Sequence, residues 1–532
     1  MATLLTCNKH DYLTYLLNPL LAKSTYILET RSFGTAERKV TFEQFIENYR
    51  SVLKRCFGDA QNHKNVSLHR SVPPMMMRDI LECAPLKVFI PEENGGFGGN
   101  VSECLTMLET SSYESLPLSL MMGINGALFI QPVTRYAHPD VASSIFDRFN
   151  RQKMMGGLMI TEPDYGSDAL HMQTFFEKER NGYRIKGTKH WAGLTGWADY
   201  WLLTAREKKA DGSLSRDIAF FIHDTRNPGV EVEEYFDNLG LYMLPYGRNA
   251  INSHVPDENR LVPTSTGIKL MLDMLHRSRL QFPGMAMGFL RRIMDDSLEH
   301  VKTRNVGGRS LMNYDQVKER IVRMQSWFTS CSAMCAFTSE QAPIARDLSG
   351  MDVAANSIKS VVTDMMQDAS QSFLQLVGAQ GYKLDHLAGR GIIDSRPFQI
   401  FEGSNDILYQ QIAESVLKKM RKLKISSLYQ YLKEYELTTK ASDYLKNETN
   451  FKIDPAMNQR KQVELGKMLG YTVSMNMVIQ LGERGFNSEL IKNTIDTLSD
   501  DIRKFLTSVT EGADPLPVEE IKSDANWLGF LD

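Results

Sequence analysis

Along the first 155 residues, apolar positions recur at the three- and four-residue spacing of amphipathic helices, as in residues 42–57 and 102–116. From about 156 to 262 the rhythm changes to short alternating or wholly apolar runs, such as 200–205 and 218–222, parted by the turn formers Asp211-Gly212-Ser213 and Asn227-Pro228-Gly229. That pattern predicts a small β-domain. Helical periodicity returns at about 263 in stretches 268–275, 285–304, 314–337 and 353–376, whose lengths and scarcity of breakers suit a bundle ending near 417. Residues 418–532 continue helically, in 462–482 and 488–509. The chain is therefore read as α+β: a mostly helical region 1–155, a β-domain 156–262, a helical bundle 263–417 and a helical extension 418–532. It shows no internal repeat.

With 532 residues, 42% of them apolar, the chain can bury a large core spread over more than one domain. Its 61 basic and 64 acidic residues leave a net charge of −3, so no global field draws it to nucleic acid or an anionic membrane. No apolar run is read as reaching the length of a membrane span, and the N-terminus lacks the charged, apolar and small-residue order of a signal peptide, so a cytoplasmic protein is expected. The six cysteines are too scattered for a disulfide framework; Cys331 and Cys335 share a helical face and read as buried thiols. The 11 histidines form no HExxH and there is no paired CxxC, P-loop, GxSxG or strand-to-helix GxGxxG, which argues against zinc, nucleotide-hydrolase, serine-hydrolase and Rossmann sites.

Two short runs carry the chemistry. In Phe398-Gln399-Ile400-Phe401-Glu402-Gly403-Ser404-Asn405-Asp406-Ile407 one carboxylate sits among apolar and aromatic neighbours, an environment that desolvates an acid and holds it as a base. The plain alternative is a loop or helix end. In Met159-Ile160-Thr161-Glu162-Pro163-Asp164-Tyr165-Gly166-Ser167-Asp168, the Gly-Ser-Asp turn offers backbone N–H groups and a hydroxyl without bulk, suited to a pyrophosphate or equally to a simple polar turn. Together and in this order the runs resemble the acyl-CoA dehydrogenase family, with its TEPxxGSD and F/Y-E-G-T/S segments. Weaker matches follow in register: residues 86–99 (LKVFIPEENGGFGG), 182–191 (GYRIKGTKHW), 255–259 (VPDEN) and 375–382 (QLVGAQGY). The resemblance spans roughly residues 80 to 415; the first 75 match poorly, and the extension is similar to that of long-chain members in its helical character rather than its sequence.

The resemblance implies FAD-dependent α,β-dehydrogenation of an acyl thioester, with the α proton taken by Glu402, a β-hydride passed to the flavin N5, and electrons handed to an electron-transfer flavoprotein or similar acceptor. A redox cofactor is obligatory for such a reaction, because no side chain accepts a hydride. By the same resemblance Thr161 and Trp191 lie at the flavin ring and Ser167 at cofactor or acyl-carrier phosphates. Arg304, Gln316 and Gln375 hold the adenosine diphosphate part, some across a subunit boundary of a homodimer or homotetramer, and Gly378, Ser404 and Asp406 also belong to the cofactor. Arg279 and Gly403, with Ser167, fall on the substrate side. Plain readings stand beside these: Trp191 as core packing, Arg279 as a solvated helix residue, and Arg304, Gln316 and Gln375 as exposed polar groups. Ser278 occupies a position some members use for their base, but a serine cannot deprotonate a carbon acid. Gly284 and Gly288, on one helical face, permit close approach of whatever packs there.

Departures from the family pattern bear on affinity. Gly193 replaces a Ser or Thr whose hydroxyl reaches the flavin, Arg304-Asn305-Val306-Gly307-Gly308 replaces R-K-T-F-G, and Tyr242 and Tyr409 stand where arginines are common. FAD affinity and acyl-carrier preference are thereby left open. One rival is the same chemistry on an acyl chain attached to a carrier protein in a biosynthetic pathway. Another is a flavin-binding relative acting at nucleic acid, against which Asp500-Asp501, Glu519-Glu520 and Asp532 count. The basic run of Lys418, Lys419, Arg421, Lys422 and Lys424 reads as a dipole-favoured helix end, or as contact with an anionic membrane surface or nucleic acid.

Overall fold

Thr41 starts the first helix through a capping box: its hydroxyl accepts from Gln44 N and the Gln44 side chain accepts from Thr41 N. The computed structural model describes residues 40–69, 72–454 and 456–511. Cys7, Glu519, Glu520 and Asp532 lie outside them, as does most of the divergent N-terminal stretch.

Helices α1 (Phe42–Gly58), α2 (Val101–Glu114), α3 (Leu116–Asn125) and α4 (Pro139–Gln152) make up most of the helical region before the sheet. The apolar run before the sheet is longer than the sequence pattern suggests. Leu116–Tyr136, comprising α3, a π-helical turn and a further short helix, is long and apolar enough to cross a membrane, yet 94% of its most apolar window is buried inside the fold. Its polar residues find protein partners: Gly156 N donates to Asn125 Oδ1 at 2.7 Å and Gln281 to Gln131 at 2.8 Å. It is the spine of the core.

Strands β1 (Gly156–Met159), β2 (Phe175–Glu179), β3 (Gly182–Gly193), β4 (Tyr200–Lys208), β5 (Leu214–Asp224), β6 (Val230–Tyr235) and β7 (Tyr246–Val255) form one mixed sheet. β4 pairs in parallel with β1 (Gly156 opposite Tyr200) and with β2 (Phe175 opposite Arg206), and antiparallel with β5; β2, β3, β7 and β6 continue antiparallel. The β3–β7 register slips between His190 and Ala192, so Trp191 sits on a bulge.

α5 (Gly267–Thr303) runs unbroken through Pro283, whereas the sequence pattern leaves a gap between 275 and 285. The gap arises because His276, Arg277, Ser278, Arg279 and Gln281 interrupt the apolar rhythm, yet all five are buried. α6 (Asp315–Gln341), α7 (Asp352–Val377), α8 (Leu387–Ser395) and α9 (Asn405–Leu423) complete the bundle, and the basic run forms the exposed last turns of α9. Gly284 and Gly288 do allow close packing: a methyl on Gly288 would lie 2.0 Å from the Glu109 carbonyl oxygen of α2. Cys331 is buried, and Cys335 is partly so.

In the extension, α10 (Gln459–Glu483) and α11 (Ser488–Thr510) lie against the bundle rather than apart from it. Arg323 of α6 reaches both oxygens of Asp501 at 2.8 Å, and Gly466 brings α10 onto α9.

Candidate active site

A cleft of about 670 Å³ opens between the sheet and the bundle. Thr161, Ser167 and Trp191 line it from the β side; Arg279, Glu402 and Gly403 line it from the bundle; Leu120, Ile124 and Leu128 supply an apolar wall.

The β side is fastened from beneath. Lys189 of β3, fully buried, donates to Glu162 Oε1 at 2.9 Å, to the Ile160 carbonyl at 3.0 Å and to Thr204 Oγ1 at 3.0 Å. Glu162 also accepts from the backbone N–H groups of Gln173 and Thr174. Burial opposes the charge on each partner and draws the Lys189 ammonium down to about 8, while Lys189 and the two N–H groups outweigh burial at Glu162 and hold it below the usual carboxylate range. The pair thus pins the turn bearing Thr161 and Ser167. His190 N donates to the Thr161 carbonyl at 2.8 Å, joining that turn to the bulge. There Trp191 takes a left-handed backbone (φ +55°) and is 51% exposed, which removes core packing as its explanation. Its indole rests on Phe236, 4.6 Å between centroids, and turns toward the cleft.

Glu402 lies in the loop between a 3₁₀ turn (Arg396–Gln399) and α9, with φ +54°, followed by Gly403 at φ +92°. A non-glycine residue in this conformation costs about 1–2 kcal/mol, so neighbouring contacts must hold it. They do so at the carbonyls. Arg279 donates twice to the Glu402 carbonyl, at 3.1 and 2.7 Å, and Lys359 of α7 donates to that of Gly403 at 2.8 Å. Arg279 is 7% exposed and also donates to Asn356 at 2.7 Å, so it is not a solvated helix residue. Phe401 packs with Phe398 and Phe282 behind the loop.

The carboxylate itself is half satisfied. Ser278 Oγ donates to Oε1 at 2.8 Å, while Oε2 is shielded from solvent without a hydrogen-bond partner. Burial pushes the group above the ordinary glutamate range; Arg279, the Ser278 hydroxyl and Lys359 pull it back only in part. Lys359 is itself drawn down to about 7, first by burial and then by Arg279. Such a carboxylate is a stronger base than a solvated glutamate.

Other sequence-marked residues stand elsewhere. Arg304, at the end of α5, Gln316, in the first turn of α6, Gln375 and Gly378, at the end of α7, and Asp406, in the first turn of α9, are solvent-exposed and line no part of the cleft within one chain. Ser404 precedes α9 without a capping bond from its side chain. At Gly193 a Cβ would come within 2.9 Å of Ile124 Cδ1, so a side chain there would need that terminal methyl to shift. Sequence reasoning missed Lys359, Thr363 and Asp364 of α7, which bond to the Glu402 loop or to its flanking residues, and Asn356, which accepts from Arg279 beneath it. The three- and four-residue spacing of Asn356, Lys359 and Thr363, which puts them on one face of the helix, was the available signal.

Residues 157–253 match the family model of the acyl-CoA dehydrogenase middle domain and residues 265–417 that of the acyl-CoA dehydrogenase C-terminal domain. The mitochondrial isovaleryl-CoA dehydrogenase of Oryza sativa subsp. japonica is 26% identical over 392 residues, 71% of this chain and 92% of that protein. The glutaryl-CoA dehydrogenase of Desulfococcus multivorans is 24% identical over 330 residues, covering 61% of this chain and 83% of its own length. Among solved structures, butyryl-CoA dehydrogenase from Megasphaera elsdenii superposes with a TM-score of 0.62 at 19% identity over 73% of this chain and 100% of its own. An acyl-CoA dehydrogenase from Bacillus anthracis solved with FAD superposes at 0.72 with 15% identity over 92% of each chain, a coverage reached only by including the helices past residue 417. The domain models fall on the two sides of the cleft that holds Glu402, and this chain belongs to the acyl-CoA dehydrogenase family.

Proposed function

We propose that the protein is an FAD-dependent dehydrogenase that introduces an α,β double bond into an acyl thioester, with Glu402 as the base. The observation that carries this is Glu402 itself, which lines a cleft whose opposite side presents an exposed indole and whose Oε2 is buried without a hydrogen-bond partner. The cleft fits a flavin ring. Trp191 offers a flat aromatic surface, the Thr161–Ser167 turn is held rigid by the Glu162–Lys189 pair, and a Cβ on Gly166 would meet nothing within 4 Å. When bound, FAD supplies the hydride acceptor that no residue of the chain provides.

The remaining work falls to side chains. Leu120, Ile124 and Leu128 receive the acyl chain and exclude water, so that the α carbon is presented to a desolvated carboxylate. Oε2 takes the α proton while Ser278 holds Oε1, fixing which oxygen reacts. Arg279 and Lys359 fix the loop and touch neither proton nor carbon. Arg304, Gln316, Gln375 and Gly378, exposed at helix ends, serve the adenosine diphosphate half of a neighbouring subunit's cofactor, which makes the working unit at least a homodimer. Electrons leave to an electron-transfer flavoprotein or similar acceptor. The test is to load the purified protein with FAD and mix it anaerobically with acyl-CoAs and with acyl pantetheine thioesters. Bleaching of the flavin by one of them supports the reading; failure to take up FAD in excess overturns it.

A further inference from the structure

The loop bearing Glu402 is gripped at both ends by a single carboxylate. Asp364 of α7 accepts through Oδ1 from Gln399 Nε2 at 2.6 Å, before the base, and from Asn405 Nδ2 at 2.7 Å, after it. Asn405 in turn accepts through Oδ1 from Lys359 at 2.9 Å, the lysine that holds the Gly403 carbonyl. The second oxygen of Asp364 accepts from the Tyr409 hydroxyl at 2.7 Å. Tyr409 is fully buried, and what buries it is the C-terminal extension. A methyl on Gly466 of α10 would lie 1.9 Å from the Tyr409 carbonyl oxygen, and one on Gly470 would lie 3.3 Å from its ring. Two glycines four apart thus seat α10 directly on the residue that closes the chain of hydrogen bonds.

We propose that Tyr409, Asp364, Asn405 and Lys359 form a positioning relay through which the C-terminal helical extension sets the orientation of Glu402. Every link is a side-chain hydrogen bond among residues packed against or beneath the loop, and the two ends of that loop share a single acceptor. Loosening α10 therefore frees Tyr409, then Asp364, then both flanks of the base. The extension is in this sense part of the site, and Tyr409, standing where an arginine is common, is the residue that makes it so. The inference rests on the reading of Glu402 as the base.

Tyr409→Phe removes one hydroxyl and keeps the ring packing on Gly466 and Gly470; Asp364→Asn keeps shape and removes the charge. In both variants we expect faster hydrogen exchange of the amides in residues 400–408. We also expect the limiting rate of substrate-driven flavin reduction to fall about tenfold, as small misplacement of a catalytic group does, with half-saturating substrate and FAD content unchanged. Tyr431→Phe is the control, because this buried tyrosine of the extension has a hydroxyl without a hydrogen-bond partner, and neither readout should move. Unchanged exchange at 400–408 in the folded variants overturns the relay, as does faster exchange with an undiminished rate. If wild-type protein bleaches with no thioester, the functional reading fails, and the exchange comparison still decides whether α10 and the loop are coupled.

Discussion

Ser278 and Glu402 lie 124 residues apart in sequence and meet at 2.8 Å, the serine hydroxyl donating to one carboxylate oxygen and leaving the other buried and unpartnered. A position that could have carried a second acid carries instead the group that tunes and aims the first. The hydroxyl favours the ionised form, against a larger penalty from burial.

Ser278→Ala should therefore raise the Glu402 pKa further. The basic form is lost as pH falls through that pKa, so the acid-side inflection of the flavin-reduction rate should lie above the ordinary glutamate value in wild type and move to higher pH in the variant. Stopped-flow rates across pH 5 to 9 check this; an inflection that stays in place or moves down contradicts it.

Trp191 is largely exposed and contributes little to the core. Trp191→Ala should then leave the stability of the cofactor-free protein within about 0.5 kcal/mol of wild type, as for most surface substitutions. An aromatic contact of this kind is worth about 0.5–1.5 kcal/mol, so FAD affinity should weaken by up to roughly tenfold. Titrating cofactor-free protein with FAD while following flavin fluorescence gives both affinities.

Glu162 and Lys189 should matter to the fold more than to the chemistry. Glu162→Gln leaves a buried ammonium uncompensated, a change that costs about 3–5 kcal/mol in buried pairs. Because the Glu162 pKa is depressed in the fold, the stability it contributes is present above its unfolded pKa and is lost as pH falls through the folded one. The gap between wild-type and variant melting temperatures should be widest near neutrality and close in acid.

The apolar runs of β4 and β5, and the Glu402-Gly403 run beside the Gly166-Ser167 turn, are legible in the amino-acid sequence because each depends on neighbours close along the chain, and such local signals survive folding. The features that are not legible depend on polar residues placed in the interior. Residues 276–281 look like a break in a helix only if His276, Arg277 and Arg279 are assumed to need water; in the fold they serve Leu348, Asp273 and the Glu402 carbonyl. Lys359 escapes notice for the same reason. Leu116–Tyr136 misleads in the opposite direction, since its Asn125 and Gln131 are satisfied by side-chain and backbone partners far along the chain. The exposed Arg304, Gln316 and Gln375 have no partner in the cleft to test them within a single chain.

Glu402→Gln tests the role of the base most directly. The variant keeps the shape of the side chain and removes its basicity, and it should be at least as stable as wild type at neutral pH, because a raised carboxyl pKa means that the fold bears a cost for the charge which glutamine avoids. Loaded with FAD and mixed anaerobically with the thioester that bleaches wild type, it should bind both cofactor and substrate normally. Its flavin should then be reduced more slowly by on the order of 10²-fold or more. An undiminished rate in a fully flavinated Gln variant would contradict the assignment of Glu402 as the base.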